Sequence, residues 1–229
     1  SLSLVPVSLT TYSAPKFEEQ DRLGIRELIK ISPLGVAAGL TSGATAGALV
    51  WLASVYGDKI GMSLNTISLF VAASIVGGAV LQWPIGHLSD RFDRRRILTI
   101  VAFIGATCAV GATFVGTESS TIQMVAVALV GAFVAPIYSL SIAHTNDFLT
   151  PKQMVAASSG LLLANGIGGM IGPTVAGGAM QMLGPSGYFW FPAATMGALG
   201  TFALYRMTRR AAVPLEEQGQ YISMPRTSG

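Results

Sequence analysis

Apolar runs long enough to cross a bilayer constrain this chain more than any other feature. A transmembrane helix needs about 20 predominantly apolar residues, and stretches of that order recur at 31–57, 64–85, 97–116, 121–143, 153–182 and 187–206. Turn-forming and charged residues separate them: Gly57-Asp58-Lys59, the run from Asp90 to Arg96, Gly116-Thr117-Glu118, Asn146-Asp147 and Gly184-Pro185. Backbone in hydrocarbon must satisfy its own polar groups, so runs of this length are expected to form helices. The fold class expected is all-α, six transmembrane helices in one bundle over 31–206. Charged residues make up only 11% of the chain against 51% hydrophobic, whereas a soluble domain carries about 25% charged residues. That balance excludes an ordinary soluble domain.

The net charge of +3 has a topological reading that requires no nucleic-acid partner. Basic residues are retained on the cytoplasmic side of short loops, and six spans put both ends of the bundle on one side. Lys16, Arg22, Arg26, Lys30, Arg91, Arg94, Arg95, Arg96, Lys152, Arg206, Arg209, Arg210 and Arg226 fall there, and Lys59 alone falls opposite. Both termini are therefore expected in the cytoplasm, with the lipid bilayer as the chain's medium. Residues 1–10 are apolar but too short to span, and read as the end of a preceding transmembrane helix. Residues 11–30 are amphipathic and read as a cytoplasmic interdomain linker. Residues 207–229 lack apolar periodicity and read as a flexible cytoplasmic tail. The single cysteine, Cys108, lies in an apolar run and supports no disulfide framework.

Small residues recur at helical spacing in two spans. Gly35, Gly39, Gly43 and Gly47 share one face of the first, and Gly168 and Gly172 continue a stripe in the fifth, next to Pro173. Such stripes let membrane helices approach closely, and Pro173 permits a bend. Thr41 and Thr45 lie roughly 200° from the glycines they sit between, so one face packs and the other is polar.

The segment Gly86-His87-Leu88-Ser89-Asp90-Arg91-Phe92-Asp93-Arg94-Arg95-Arg96 resembles the G-x-L-x-D-R-x-G-R-R loop motif of the major facilitator superfamily. Gly86, Leu88, Asp90, Arg91, Arg94 and Arg95 match, while Asp93 stands where the motif has its second glycine. The fifth span, from Gly168 to Gly178, resembles the G-x-x-x-G-P-x-x-G-G motif of family antiporters with one glycine replaced by Ala176. Runs such as Leu81-Gln82-Trp83-Pro84-Ile85-Gly86 and Ala143-His144-Thr145-Asn146-Asp147 are similar to the YcaD-like bacterial subgroup.

The resemblance implies the carboxy-terminal half of a transporter: six helices as two inverted three-helix repeats, partnered by an amino-terminal six-helix half around a central cavity. It implies secondary transport of a small-molecule substrate by alternating access in a bacterial inner membrane, antiport being one form. The loop motif would act as a conformational latch, its aspartate held near a helix amino terminus of the other half. The first and fourth spans would line the cavity, making Thr41, Thr45, Tyr138 and Ser139 candidate substrate contacts, with Asn165 added by polarity. Each could equally satisfy a helix-to-helix hydrogen bond. A transport-inactive subunit of another membrane complex is the competing reading. No catalytic signature, cofactor motif or metal-ligand set is recognisable, and an enzyme is not expected. Every Asp, Glu, Lys and Arg between 31 and 206 falls in a predicted loop or at a helix end, so protons, if they drive transport, are expected to be carried elsewhere.

Overall fold

The computed structural model describes residues 24–209. The expectations for 1–10, for the linker up to residue 23 and for the tail from residue 210 lie outside the described residues. Within them no strand occurs, and the elements in order are α1 (Ile25–Ile31), α2 (Pro33–Trp51), α3 (Ala53–Lys59), α4 (Leu64–Arg91), α5 (Arg94–Thr113), α6 (Ser120–Asn146), α7 (Pro151–Leu183), a 3₁₀ turn (Gly184–Ser186) and α8 (Gly187–Arg209). Five helical stretches are long and apolar enough to cross a membrane. The last of these, Pro151–Arg209, contains both α7 and α8. Gly184 breaks it with a φ of +70°, a conformation that favours glycine, and α8 returns along α7 so that Phe191 packs with Ala176.

Side chains at the helix starts fix the boundaries. Ser63 accepts from the Thr66 amide at 3.3 Å, and Ser119 from the Ile122 amide at 3.5 Å. Thr150 and Gln153 form a reciprocal capping box at the start of α7. The first span is interrupted at Leu52, after which the short α3 continues to Lys59.

The helices alternate in direction. At one end, Thr145 near the end of α6 lies 3.1 Å from Ser32 before α2, and Thr99 near the start of α5 meets Met207 near the end of α8. This end holds all the basic residues of the described chain except Lys59. At the opposite end Tyr56 donates to Gln123 at 2.7 Å, and Tyr188 donates to the Leu49 carbonyl at 2.6 Å. Tyr56, Phe70, Tyr188 and Phe189 stack there with ring centroids 4.6 to 5.8 Å apart, closing the core.

The packing has internal two-fold character. The two most extensive helix pairs are α2 with α7 and α4 with α6, α5 packs on α8, and α2 meets α6 at the centre. Exchanging the triplet α2–α4–α5 with α6–α7–α8 maps these pairs onto one another. Because α2 and α6 run in opposite directions, the triplets are inverted repeats.

Glycine makes both large interfaces. A Cβ at Gly43 would overlap the Asn165 carbonyl, one at Gly168 the Leu40 carbonyl and one at Gly172 the Ala44 carbonyl, while one at Gly47 would lie 2.8 Å from the Gly169 carbonyl. On the α4–α6 side, Gly77 abuts the Ala128 carbonyl and Gly131 the Ser74 carbonyl in the same way. Gly39 sits more loosely, 3.5 Å from the Leu161 carbonyl, and Gly35 faces Thr145 of α6 instead. Helix α7 runs unbroken through Pro173.

Overpacking a fitted interface costs about 1–3 kcal/mol, and more where backbone is the obstacle. Gly43→Leu and Gly172→Leu are each expected to lower the melting temperature and folded yield in detergent. Gly111→Leu, whose added side chain would begin in open space, is the matched control and should melt near wild type in the same fluorescence assay.

Candidate functional site

Two regions concentrate polar chemistry: the charged junction at the basic end and a cleft between α2, α4 and α6. The junction begins inside a helix, because α4 continues through Gly86 and Asp90 to Arg91, leaving only Phe92 and Asp93 as connection. Asp93 is the amino-terminal cap of α5, accepting from the Arg95 amide at 2.9 Å and from the Arg95 side chain at 3.1 and 3.3 Å. Its φ of −53° needs no glycine, so the substitution exchanges a flexible position for a capping carboxylate. Burial pushes the Asp93 carboxyl up, but hydrogen bonds from Arg95 and the charges of Arg95 and Arg96 outweigh it and hold Asp93 below the usual carboxylate range.

Arg94 ties three helix ends together. Its guanidinium donates to the Ala143 carbonyl at 2.8 Å and to Asp147 at 2.5 Å, and reaches Asp90 at 3.4 Å. The two aspartates differ in setting, since the Asp147 side chain is 4% exposed and that of Asp90 67%. Burial pushes the Asp147 carboxyl up to about 6. The Arg94 charge opposes that rise, while Asp93 and Asp90 add to it. Arg91 and Arg96 are exposed, and a Cβ at Gly86 would meet nothing within 4 Å. Gly86, Asp90 and Arg91 thus stand open on the surface of this chain, whereas Arg94 and Arg95 are buried in it.

The cleft has a volume of about 270 Å³ and is lined by Ala46, Leu49 and Val50 of α2, by Ser74, Ile75, Gly78, Ala79 and Gln82 of α4, and by Gly131, Val134 and Ala135 of α6. Among the described residues no charged one lines it. The Ser74 hydroxyl is engaged with the Val71 carbonyl at 2.8 Å, so Gln82 is the exposed polar group, and its amide donates to Ser139 at 3.3 Å.

The candidate contacts read from the sequence do not converge on this cleft. Thr45 is wholly buried and bonds the Thr41 carbonyl at 2.8 Å and the Thr195 hydroxyl of α8 at 3.1 Å. Thr41, half-buried one turn earlier, supplies that carbonyl. Asn165 donates to the Gly39 carbonyl at 3.1 Å across the α2–α7 interface. Tyr138 packs on the cluster of Leu28, Ala157 and Leu161, although it lies one turn beyond Val134 on the same face of α6. Of the five, Ser139 alone meets a polar residue of the cleft. Gln82 was the residue missed, and its signal was a lone amide in an apolar run. Among the described residues no group of three or more His, Cys, Asp or Glu could hold a metal. His87 stacks on Trp83 and His144 lies edge-on to Phe148.

Inverted helical triplets of membrane-spanning length, glycine-packed and charged at one end, define an integral membrane protein of repeat architecture. Residues 31–224 match the family described as Major Facilitator Superfamily, and the chain belongs to that family. It is 28% identical over 180 residues to the "Uncharacterized MFS-type transporter YcaD" of Escherichia fergusonii, covering 78% of this chain and 46% of that protein. The protein of the same description from Escherichia coli is 27% identical over 180 residues, with the same coverage. The chain therefore spans about half the length of the curated relatives it matches.

Removing one member of a buried ion pair strands the other, at a cost of about 3–5 kcal/mol. Arg94→Gln is expected to destabilise the protein far more than Asp90→Asn, whose carboxylate is mostly in water, as read by thermal melting. The pH dependence has a definite sign. A carboxyl whose folded pKa lies above its unfolded value near 3.8 binds more protons when folded, so stability falls as pH rises from about 4 to about 6 and then levels. The Asp93 contribution runs the other way but belongs below about 4. Asp147→Asn should abolish the fall between pH 4 and 6 in melting curves of the otherwise unchanged protein.

Proposed function

We propose that this chain forms the carboxy-terminal six-helix half of a secondary transporter that moves a small solute by alternating access, with an amino-terminal six-helix half as its partner. The observation that carries the reading is the course of α4. One 28-residue helix lines the cleft with Ile75, Gly78, Ala79 and Gln82 and ends at the exposed Asp90. Gln82 and Asp90 are eight residues apart, about 12 Å along the helix. Pro84 lies between them inside the same helix, so the turn that carries Asp90 is joined to the cleft-lining turn through a proline joint at which the helix can bend. Both Asp90 and Gly86 are open towards a surface on which the other half would sit. The carboxylate at a helix amino terminus there would gain about 0.3–1 kcal/mol, small enough to be made and broken as the two states exchange.

The lining of the cleft favours an uncharged, largely apolar solute with at least one hydrogen-bonding group for Gln82 and Ser139, since a charge placed there would meet no compensating partner among the described residues that line it. If transport is proton-coupled, the essential carboxylate lies in the other half. Efflux by antiport is the narrower form of this reading, supported by the resemblance of the α7 segment from Gly168 to Gly178. The setting is a bacterial inner membrane with the basic end in the cytoplasm, supported by the charge bias.

Accessibility tests this without knowledge of the substrate. In the full-length protein freed of its cysteines, with Cys108→Ala included, Gln82→Cys is expected to react with an impermeant maleimide applied to either side of a vesicle. Adding Asp90→Asn should weaken closure at the basic end and raise labelling from that side about two- to fivefold, with membrane insertion unchanged. Labelling from one side only, at the same rate in both proteins, would overturn the proposal.

A further inference from the structure

Helix α1 lies at the end of the stretch whose sequence reads as an interdomain linker, and a single side chain fastens it to the bundle. Of its seven residues only Leu28 is buried, 1% exposed, while Arg26, Glu27, Ile29 and Lys30 face outward. Leu28 enters a socket formed with Ala157 and Leu161 of α7, against which Val36 of α2 and Tyr138 and Ile142 of α6 also pack. Gly160 of α7 is part of the fit, since a Cβ there would come within 2.7 Å of a Leu28 methyl carbon. One leucine from outside the membrane spans thus sits where three of them meet.

Two features make α1 an element with two states. A helix on its own in water is marginal below about 12–15 residues, so these seven stay helical only while the socket holds Leu28. The helical path then stops at Ser32, with φ −136° and ψ 72°, because Pro33 disfavours a helical conformation in the residue before it. Release of α1 can therefore end at Ser32, which Thr145 of α6 holds at 3.1 Å. The socket is also a cluster separate from the main core, so emptying it leaves that core packed.

The socket closes a sparse seam. Helix α7 packs mainly on α2 and α8 and little on α6, so at the basic end α6 and α7 meet through the cluster that Leu28 completes. Tyr138, in that cluster, stands one turn beyond Val134, which lines the cleft.

We propose that α1 is a strap on the basic end. Docked through Leu28, it holds the end of α6 against the start of α7; released, it lets them part and opens a way from that side to the cleft. The strap regulates access to the site described above and rests on the two-state reading of the transporter.

The test uses the full-length protein freed of its cysteines, with Cys108→Ala and Gln82→Cys. Docking is read by trypsin cleavage after Arg26 and Lys30, located by mass spectrometry, and coupling by impermeant-maleimide labelling at position 82 from the basic side. Leu28→Ala is expected to speed cleavage about tenfold and labelling about two- to fivefold. Leu28→Val, a smaller loss, should shift both in the same direction by less, and Ile29→Ala, on the exposed face of the same helix, should shift neither. Cleavage equal in Leu28→Ala and wild type overturns docking through Leu28. Faster cleavage with unchanged labelling overturns the strap alone when Asp90→Asn raises labelling in the same assay. Should Asp90→Asn fail to raise it as well, the two-state reading falls and the strap with it.

Discussion

Backbone-to-backbone contact through glycine is the constraint on which the rest of this bundle depends. Lipid offers no hydrophobic gain for bringing two apolar helices together, so association rests on close van der Waals contact and a few hydrogen bonds. The α2–α7 and α4–α6 pairs meet that condition at Gly43, Gly168, Gly172, Gly77 and Gly131, each of which puts carbonyl oxygen where a side chain would begin. Two pairs so fixed leave the space between α2, α4 and α6 as a cleft, and hold the helix ends at the junction within reach of one arginine.

That arginine gives the junction a division of labour. Arg94 spends most of its hydrogen bonding on Asp147 and the Ala143 carbonyl, inside the bundle, and only grazes Asp90. The inner pair holds α5 to α6 whatever the outer carboxylate does. Asp90, held by a single 3.4 Å contact and mostly in water, contributes little to the fold that presents it.

The class of fold was legible because long apolar runs and the one-sided placement of Lys and Arg are written residue by residue. The four-residue glycine spacing coincides with the α2–α7 contact at Gly43, Gly47, Gly168 and Gly172, whereas Gly35 faces α6 and the α4–α6 contact at Gly77 and Gly131 has no such stripe to announce it. What the sequence did not disclose was direction within a face. Thr45 and Gly43 are two residues apart and point to different neighbours, α8 and α7, and no local signal says which side of α2 will be open. Gln82 escaped notice because it stands on the second span, outside the pair of helices taken to line the cavity. The break at Leu52 and the continuation of α4 to Arg91 carry no turn residue of their own in the sequence.

The glycine interface between α2 and α7 has a consequence for biogenesis. Gly43 and Asn165 are about 120 residues apart, so at 5–20 residues per second the ribosome needs on the order of ten seconds to supply the partner of α2 after α2 itself has emerged. During that interval α2 sits in the membrane with its carbonyl-facing groove filled by lipid tails, and the first triplet cannot reach its final arrangement. The α4–α6 pair has both its helices once α6 is made, whereas the α2–α7 pair waits for α7 and the α5–α8 pair for α8. A chain truncated before α7 keeps the α4–α6 interface but leaves the glycine face of α2 without its partner.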